Sequence, residues 1–299
     1  MIHYDPHLWW QHFFYVRGSM VREITGRVMA CVVWTAAIAA VSLHVRPLGI
    51  SSTAHSLAGV ALSLMLVFRT NTSYARFWEG RTLWGGIVNE SRNLARGARP
   101  FLAHAAPELY RSLVLWTAAF SRATASRLRN ARKLGAAADA LPREDVDRVE
   151  HAEHPALAVA HELSRLLNEG RERGFYSDYV QMQLDQNVQL LVDYLGGCER
   201  IHGTPLPFAY MVHLRRALAL YCFTLPFALV DSLGWLTVAA TFIVAYLFFG
   251  IEEIGVEIED PFGVDDNDLP LDAICDTIQK NLMAMLPPED AGERAREPA

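Results

Sequence analysis

The sequence predicts an all-α integral membrane protein with four transmembrane helices and a cytosolic helical region. Three observations support this fold class. Of the 299 residues, 52% are hydrophobic and only 20% are charged, and the apolar residues are concentrated in four long segments without charged residues. Arginines are frequent in the polar region between the second and third segments. No part of the chain alternates apolar and polar residues as a half-buried strand does.

The four segments are each close to the length of about 20 residues that a transmembrane helix needs. They cover residues 28–45, 51–68, 217–230 and 233–249, and the third contains Pro226. A soluble bundle with four buried helices is the alternative. The lack of charge in the segments and their pairing through short links favour the membrane protein.

Arginine counts predict the orientation in the membrane. Arg17, Arg22 and Arg27 precede the first segment, and six arginines follow the second segment between residues 69 and 99. The link between these two segments contains only Arg46. The positive-inside rule therefore places both termini and residues 69–211 in the cytoplasm. The membrane we expect is the inner (plasma) membrane of the cell. Before the first span, an interfacial helix is predicted from the aromatic residues Trp9, Trp10, Phe13, Phe14 and Tyr15.

These patterns divide the chain into four predicted regions. Residues 1–69 hold the interfacial helix and the first two spans, and residues 70–211 form the cytosolic helical region. Residues 212–250 hold the last two spans, and residues 251–299 form an acidic segment and a C-terminal cytosolic tail. Within the second region, residues 130–155 are polar, rich in alanine and interrupted by prolines, which predicts an exposed loop.

The second span carries an apolar stripe. Val60, Leu64 and Phe68 recur at i, i+4 and i+8 and therefore share one helix face. Gly59 and Ser63 are small enough for neighbouring helices to approach closely. Ordinary helix packing is one interpretation of the stripe. The other is a ring of identical helices around a shared axis, which would form an apolar constriction across a membrane.

The segment that follows the fourth span is acidic. Residues 251–272 contain nine Asp and Glu residues and no Lys or Arg. Such a density of carboxylates can supply the oxygen ligands that Ca²⁺ prefers, although the spacing is not that of an EF-hand loop. The alternative is a solvated acidic turn that pairs with the arginines of residues 76–99 across a subunit interface.

The remaining features narrow the functional classes. The net charge of −6 gives no reason to expect nucleic-acid binding, and the four cysteines have no metal-type spacing. A membrane-anchored, Mg²⁺-dependent phosphate-cleaving enzyme is one alternative, with Asp265, Asp266 and Asp268 as ligands. Against it, no base or nucleophile lies near these residues in the sequence. A non-conducting membrane scaffold is another alternative.

Two motifs resemble the bestrophin family. The run SYARFWEGRTLWG contains Arg76, Phe77 and Trp78 and follows the second span, and the run EDPFGVDDNDLPLD follows the fourth. The two runs occur in the family's order with the four spans in place, and the closest pattern is that of bacterial bestrophin homologues. The resemblance covers nearly the whole chain apart from residues 130–155 and the last dozen residues.

This resemblance implies a homopentameric ion channel in the lipid membrane with one central pore. The family's apolar neck falls on Val60, Leu64 and Phe68, and a second, cytosolic aperture falls on Leu206, between two prolines. The permeant species implied are small monovalent ions, with anions such as chloride as the family default. A cation such as sodium is the alternative for a bacterial member.

The resemblance also implies a Ca²⁺ site in the acidic segment. The animal members of the family bind Ca²⁺ next to the PFG sequence, and the matching positions here are Glu257, Asp260, Asp265 and Asp268. At the first two of these positions, this chain has carboxylates where the family pattern has amide-bearing residues.

Overall fold

A computed structural model describes His7, Trp10 and residues 18–287 of the chain. This part of the chain contains nine α-helices, one short 3₁₀ helix and no strand, which confirms the predicted all-α fold class. The predicted interfacial helix at residues 9–15 lies outside the described residues apart from Trp10, as does the end of the C-terminal tail. The α-helices are α1 Val21–His44, α2 Ser52–Leu102, α3 Pro107–Leu128, α4 Arg143–Glu150, α5 Pro155–Glu172, α6 Asp178–Gly203, α7 Phe208–Leu233, α8 Leu236–Glu257 and α9 Leu271–Met283.

Four of these helices, α1, α2, α7 and α8, are long and apolar enough to cross a membrane. They contain the four predicted spans almost entirely, but each extends well beyond its predicted end on at least one side. The largest difference is in α2, which continues for 34 residues past Phe68 to Leu102. Composition marks where the apolar stretch ends, whereas the helix itself stops only after Pro100.

The chain folds as two compact units. Unit 1 comprises residues 1–78 and 204–268, and unit 2 comprises residues 79–203 and 269–299. The predicted region boundaries at residues 69, 211 and 250 follow the ends of the apolar segments. The units instead divide at residues 78, 203 and 268, so most of the acidic segment belongs to the unit that contains the four candidate spans.

The core of unit 1 lies where the four candidate spans meet. Ile24 of α1, Leu66 of α2, Leu218 of α7 and Phe249 of α8 are all buried in one apolar cluster. Gly59 permits close packing within this cluster, because a Cβ atom there would lie only 2.7 Å from the Tyr221 hydroxyl oxygen of α7. The small-residue pattern of the second span thus has the packing role that the sequence predicted at this position.

The link between α7 and α8 is a tight turn. Gly234 has a φ of +54°, which a glycine adopts at no steric cost. Its N–H donates to the carbonyl of Val230 at 2.9 Å and so satisfies one of the last carbonyls of α7. The two helices are therefore adjacent, as expected for a pair of membrane helices joined by a short link.

Unit 2 is built around α3, most of which is buried. Helices α5 and α9 pack against it, and large side chains such as Trp116 and Phe120 fill the core. The buried Tyr110 hydroxyl donates to the Ala95 carbonyl at 3.2 Å. Burial raises the pKa of this tyrosine, so the hydroxyl stays protonated and remains a donor.

The structure of segment 130–155 differs from the exposed loop that the sequence predicts. It contains a 3₁₀ turn at Ala138–Ala140 and helix α4, and its apolar residues that are 6% exposed or less are Leu134, Ala137, Ala138, Leu141 and Val149. Pro142 precedes α4 as its N-cap, a position that proline tolerates. These buried residues stand among polar and charged ones, so the average composition of the segment conceals them.

Candidate functional site

The three predicted neck residues share an open face of α2. Val60, Leu64 and Phe68 are 71%, 54% and 58% exposed within the single chain. On the opposite face, Leu62 and Leu66 are 4% and 2% exposed and belong to the core of unit 1. Leu62 and Leu66 therefore pack within unit 1, whereas the three predicted residues are exposed in the single chain.

The predicted aperture residue, Leu206, is held by its backbone. It lies in the link 204–207 before α7, and its N–H donates to Glu259 Oε1 at 2.9 Å. Arg76 donates through Nη1 to the Thr204 carbonyl at 2.6 Å and through Nε to the Glu259 carbonyl at 2.9 Å. Arg76, the arginine of the RFW motif, thus connects the link 204–207 to the residues that follow α8.

The other two residues of that motif have different surroundings. Phe77 is half-buried, and Trp78 is 60% exposed. Arg76 connects separate parts of the chain through its hydrogen bonds to two backbone carbonyls. Hydrogen bonds to a charged donor are among the stronger ones in proteins, worth about 1.5–3 kcal/mol each.

A cluster of ion pairs joins all four spans at the end of α8. Glu252 is 2% exposed and is contacted by three arginines, each from a different helix. The buried Arg69 of α2 donates to it at 2.8 Å, Arg215 of α7 at 3.0 Å and Arg27 of α1 at 3.3 Å. The neighbouring Glu253 forms an ion pair with Arg27, with 2.8 Å between Nη2 and Oε2. We call these five residues the Glu252 cluster.

None of the sequence patterns described above predicts the Glu252 cluster, although a signal was present. Glu252 and Glu253 directly follow the uncharged run of the fourth span, and Arg27 and Arg69 lie at the matching ends of the first and second spans. The positive-inside rule places all of these positions at one membrane surface. Charges at one depth on packed helices are expected to pair, since an unpaired buried charge is very unfavourable.

The four predicted Ca²⁺ ligands make hydrogen bonds within the acidic segment. Asp268 is 3% exposed and its Oδ2 accepts from the Asp265 N–H at 2.7 Å. Burial raises the pKa of the Asp268 carboxyl to about 6, with a further contribution from the Asp265 carboxylate. Glu257 accepts from Asn267 at 2.9 Å, and Asp260 accepts from the backbone N–H of Phe262 at 3.3 Å.

These side chains do not fit the carboxylate cage that Ca²⁺ usually takes. Across the residues that the structure describes, no three His, Cys, Asp or Glu side chains are grouped so that they could hold a metal ion. Ca²⁺ binding therefore stays a prediction from the sequence alone.

A thermal-shift measurement tests it. The Ca²⁺ hypothesis predicts that millimolar CaCl₂ raises the Tm of the wild-type protein, because a ligand that binds only the folded state stabilises it. The double substitution Asp265→Ala with Asp268→Ala should abolish that increase. MgCl₂ at the same concentration is the control for ionic strength. An unchanged wild-type Tm in CaCl₂ would exclude the site.

Comparisons with known proteins agree with the two motifs. Residues 1–284 match the family model described as Bacterial/Fungal Bestrophin protein. A protein of Synechocystis named as a voltage-dependent anion channel-forming protein is 38% identical over 289 residues, which is 95% of this chain and 94% of that one. The voltage-dependent anion channel-forming protein YneE of Escherichia coli is 34% identical over 279 residues, 93% of this chain and 91% of the relative.

The fold of the chain is similar to that of solved bestrophin structures. A crystal structure of a bacterial bestrophin homolog from Klebsiella pneumoniae matches with a TM-score of 0.83 and 34% identity, over 89% of this chain and 100% of that one. Sequence, motifs and fold lead to one assignment. This chain is a membrane protein of the bestrophin family, in its bacterial and fungal group.

Proposed function

We propose that this protein is a homopentameric ion channel of the inner membrane with both termini in the cytoplasm, and that it conducts small anions such as chloride. The observation that carries the proposal is the open apolar face of α2. Family membership and the channel-forming names of the relatives support the same class, and they indicate an ion channel and not an enzyme. The Mg²⁺-dependent enzyme is therefore excluded as an alternative.

The neck would control conduction by excluding water. Five copies of Val60, Leu64 and Phe68 facing a common axis would offer no polar group to replace an ion's hydration shell. Such an apolar constriction closes a pore when it dewets and conducts when it widens or fills with water. The packed face of α2 supports this role, because the core around Leu62 and Leu66 fixes the helix rotation that leaves the three side chains open.

The aperture at Leu206 would be a second narrow point on the cytosolic side. A side chain can define a narrow opening only if its backbone is held in place. Here the Leu206 N–H is bonded to Glu259, and Arg76 is bonded to the carbonyl of Thr204 two residues earlier. The proposed role of Arg76 is therefore to position the aperture and not to contact the ion.

Two observations favour anions as the conducted species. The relatives from Synechocystis and Escherichia coli carry names of anion channels. Leu206 also lies directly before the N-terminus of α7, and Pro207 caps that helix without a side-chain hydrogen bond. The N-terminal end of a helix carries a partial positive charge and free N–H groups that favour anions.

Reversal potentials in planar bilayers test both the channel and its selectivity. With the purified protein between unequal KCl solutions, the current should reverse at a potential with the sign of the chloride equilibrium potential. A reversal with the sign of the potassium potential would replace the anion channel with a cation channel. Absence of current across salt and pH conditions would favour the scaffold. Native mass spectrometry of the same sample should give the mass of five subunits.

A further inference from the structure

Unit 1 contains a cavity that the proposed conduction pathway does not use. It has a volume of about 600 Å³ and lies between α1 and α7, with α8 as its floor. Arg27, Arg215 and Glu252 line one end, and the rest of the wall is mostly apolar, including Ala30, Trp34 and Phe223. A cavity with a charged end and an apolar body has the chemistry of an amphiphile site.

Two stacked rings line the apolar end of the cavity. The Trp34 and Phe223 ring centroids are 4.3 Å apart with an angle of 14° between the planes. The Trp34 Nε1–H donates to the Phe223 carbonyl at 3.0 Å, so the indole makes its polar contact within the protein. The rings therefore present carbon surface to the cavity, and burial of alkyl groups against such a surface is favourable by about 0.8 kcal/mol per CH₂.

At the charged end of the cavity, Arg215 has hydrogen-bond donors that no described residue uses. Arg215 is 49% exposed in its side chain, and among the described residues it contacts only the carboxylate of Glu252, through Nε. That carboxylate oxygen already accepts from the buried Arg69 at 2.8 Å. The two terminal amino groups of Arg215 are therefore available for a further anion, and a guanidinium binds phosphate oxygens through paired hydrogen bonds.

The length of the cavity along the helices fits within one leaflet of a bilayer. Trp34 is seven residues beyond Arg27 in α1, and Phe223 is eight residues beyond Arg215 in α7, which corresponds to roughly 10–12 Å along the helices. The hydrocarbon depth of one leaflet is about 15 Å. A helix is about 10–12 Å across, so a helix of a partner protein could place little more than one turn in this volume, whereas an acyl chain is far thinner.

We propose that this cavity binds an anionic phospholipid of the cytosolic leaflet, with its phosphate on Arg215 and Arg27 and the upper part of one acyl chain between α1 and α7. Basic pockets between transmembrane helices on the cytoplasmic side are suited to anionic headgroups. The site requires only unit 1, so its occupancy does not depend on whether the protein conducts ions.

Lipid retention measured by native mass spectrometry tests the proposal. Protein in detergent is incubated with phosphatidylglycerol or with phosphatidylcholine of the same acyl chains. We expect the wild-type protein to retain phosphatidylglycerol preferentially. Arg215→Gln should weaken this binding about fivefold, because one arginine near a membrane surface contributes about that factor to the affinity for an anionic lipid. The matched control is Arg216→Gln, an exposed neighbour that does not line the cavity, and it should stay within about twofold of wild type.

A second pair of variants tests the acyl-chain half without touching the ion pairs. Ala30→Phe fills the cavity and should reduce retention at least about tenfold, whereas Ala37→Phe, on the same helix and outside the cavity, should not. Equal retention of the two lipids, or undiminished retention by Ala30→Phe, would overturn the proposal. Displacement of the lipid by inorganic phosphate alone would show a site for a free anion instead. Because no current is measured, failure of the channel proposal would leave this result unaffected.

Discussion

Replacement of Leu64 and Phe68 by alanine is expected to increase ion flux through the reconstituted protein by about tenfold, equivalent to about 1.4 kcal/mol of the conduction barrier. Both side chains are more than half exposed on the open face of α2, so their truncation removes little packing within unit 1. In the proposed channel it would widen the apolar neck and reduce the energy needed to keep water in it. Chloride efflux from liposomes, normalised to inserted protein, measures the change.

The control for this experiment is Leu247→Ala. Leu247 lies on α8 and is 52% exposed, close to the 54% of Leu64, but no pattern in the sequence assigns it to the neck. Its truncation should leave the efflux rate unchanged. If the Leu64 and Phe68 variant conducts no more than wild type while its subunit mass and Tm are preserved, the open face of α2 lines something other than the conduction pathway.

The second large effect is expected at Glu252. Glu252→Gln should destabilise the protein by about 3–5 kcal/mol, because it leaves the buried charge of Arg69 without its closest partner. Arg69 is 1% exposed, and its second carboxylate, Glu259, is 3.7 Å away. A loss of this size corresponds to a decrease in Tm of roughly 10 °C. Thermal unfolding in detergent, followed by the retained oligomer fraction, measures it.

Two further variants separate charge pairing from a general effect of substitution. Glu253→Gln removes a neighbouring carboxylate that contacts only Arg27 among the described residues, and the loss should be about 1 kcal/mol. Combining Arg69→Met with Glu252→Gln should recover part of the stability, since an apolar side chain needs no counter-charge. Equal Tm values for the Glu252 and Glu253 variants would show that the cluster does not depend on the buried pair.

The sequence predicted the fold class well because its signals are local. Four uncharged stretches and the absence of strand patterns were sufficient for an all-α membrane protein, and the structure confirms both in the described residues. The helix limits were less predictable. No proline lies between Phe68 and Pro100, and α2 continues into the arginine-rich region. Segment 130–155 contains buried residues such as Leu134 and Val149 among polar ones, and its composition does not reveal them.

The sequence predicts contacts within one helix better than contacts between residues that are far apart in the chain. The face shared by Val60, Leu64 and Phe68 follows from helix periodicity, and the structure leaves that face open. The partners of Glu252 are separated from it by up to 225 residues, and periodicity within one helix carries no information about such pairs. The hydrogen bonds of Arg76 to the Thr204 and Glu259 carbonyls could not be predicted either, because every residue has a backbone carbonyl and the sequence does not show which one is contacted.

The Glu252 cluster has a consequence for how the protein is made. Synthesis proceeds from the N-terminus, so Arg27, Arg69 and Arg215 leave the ribosome before the helix that carries their common carboxylate. Until α8 is inserted, these arginines have to keep their guanidinium groups in the aqueous headgroup layer. The fourth of the spans described here therefore completes the arrangement of the earlier three. A nascent chain that stops before residue 252 should remain loosely assembled and should be degraded by membrane proteases.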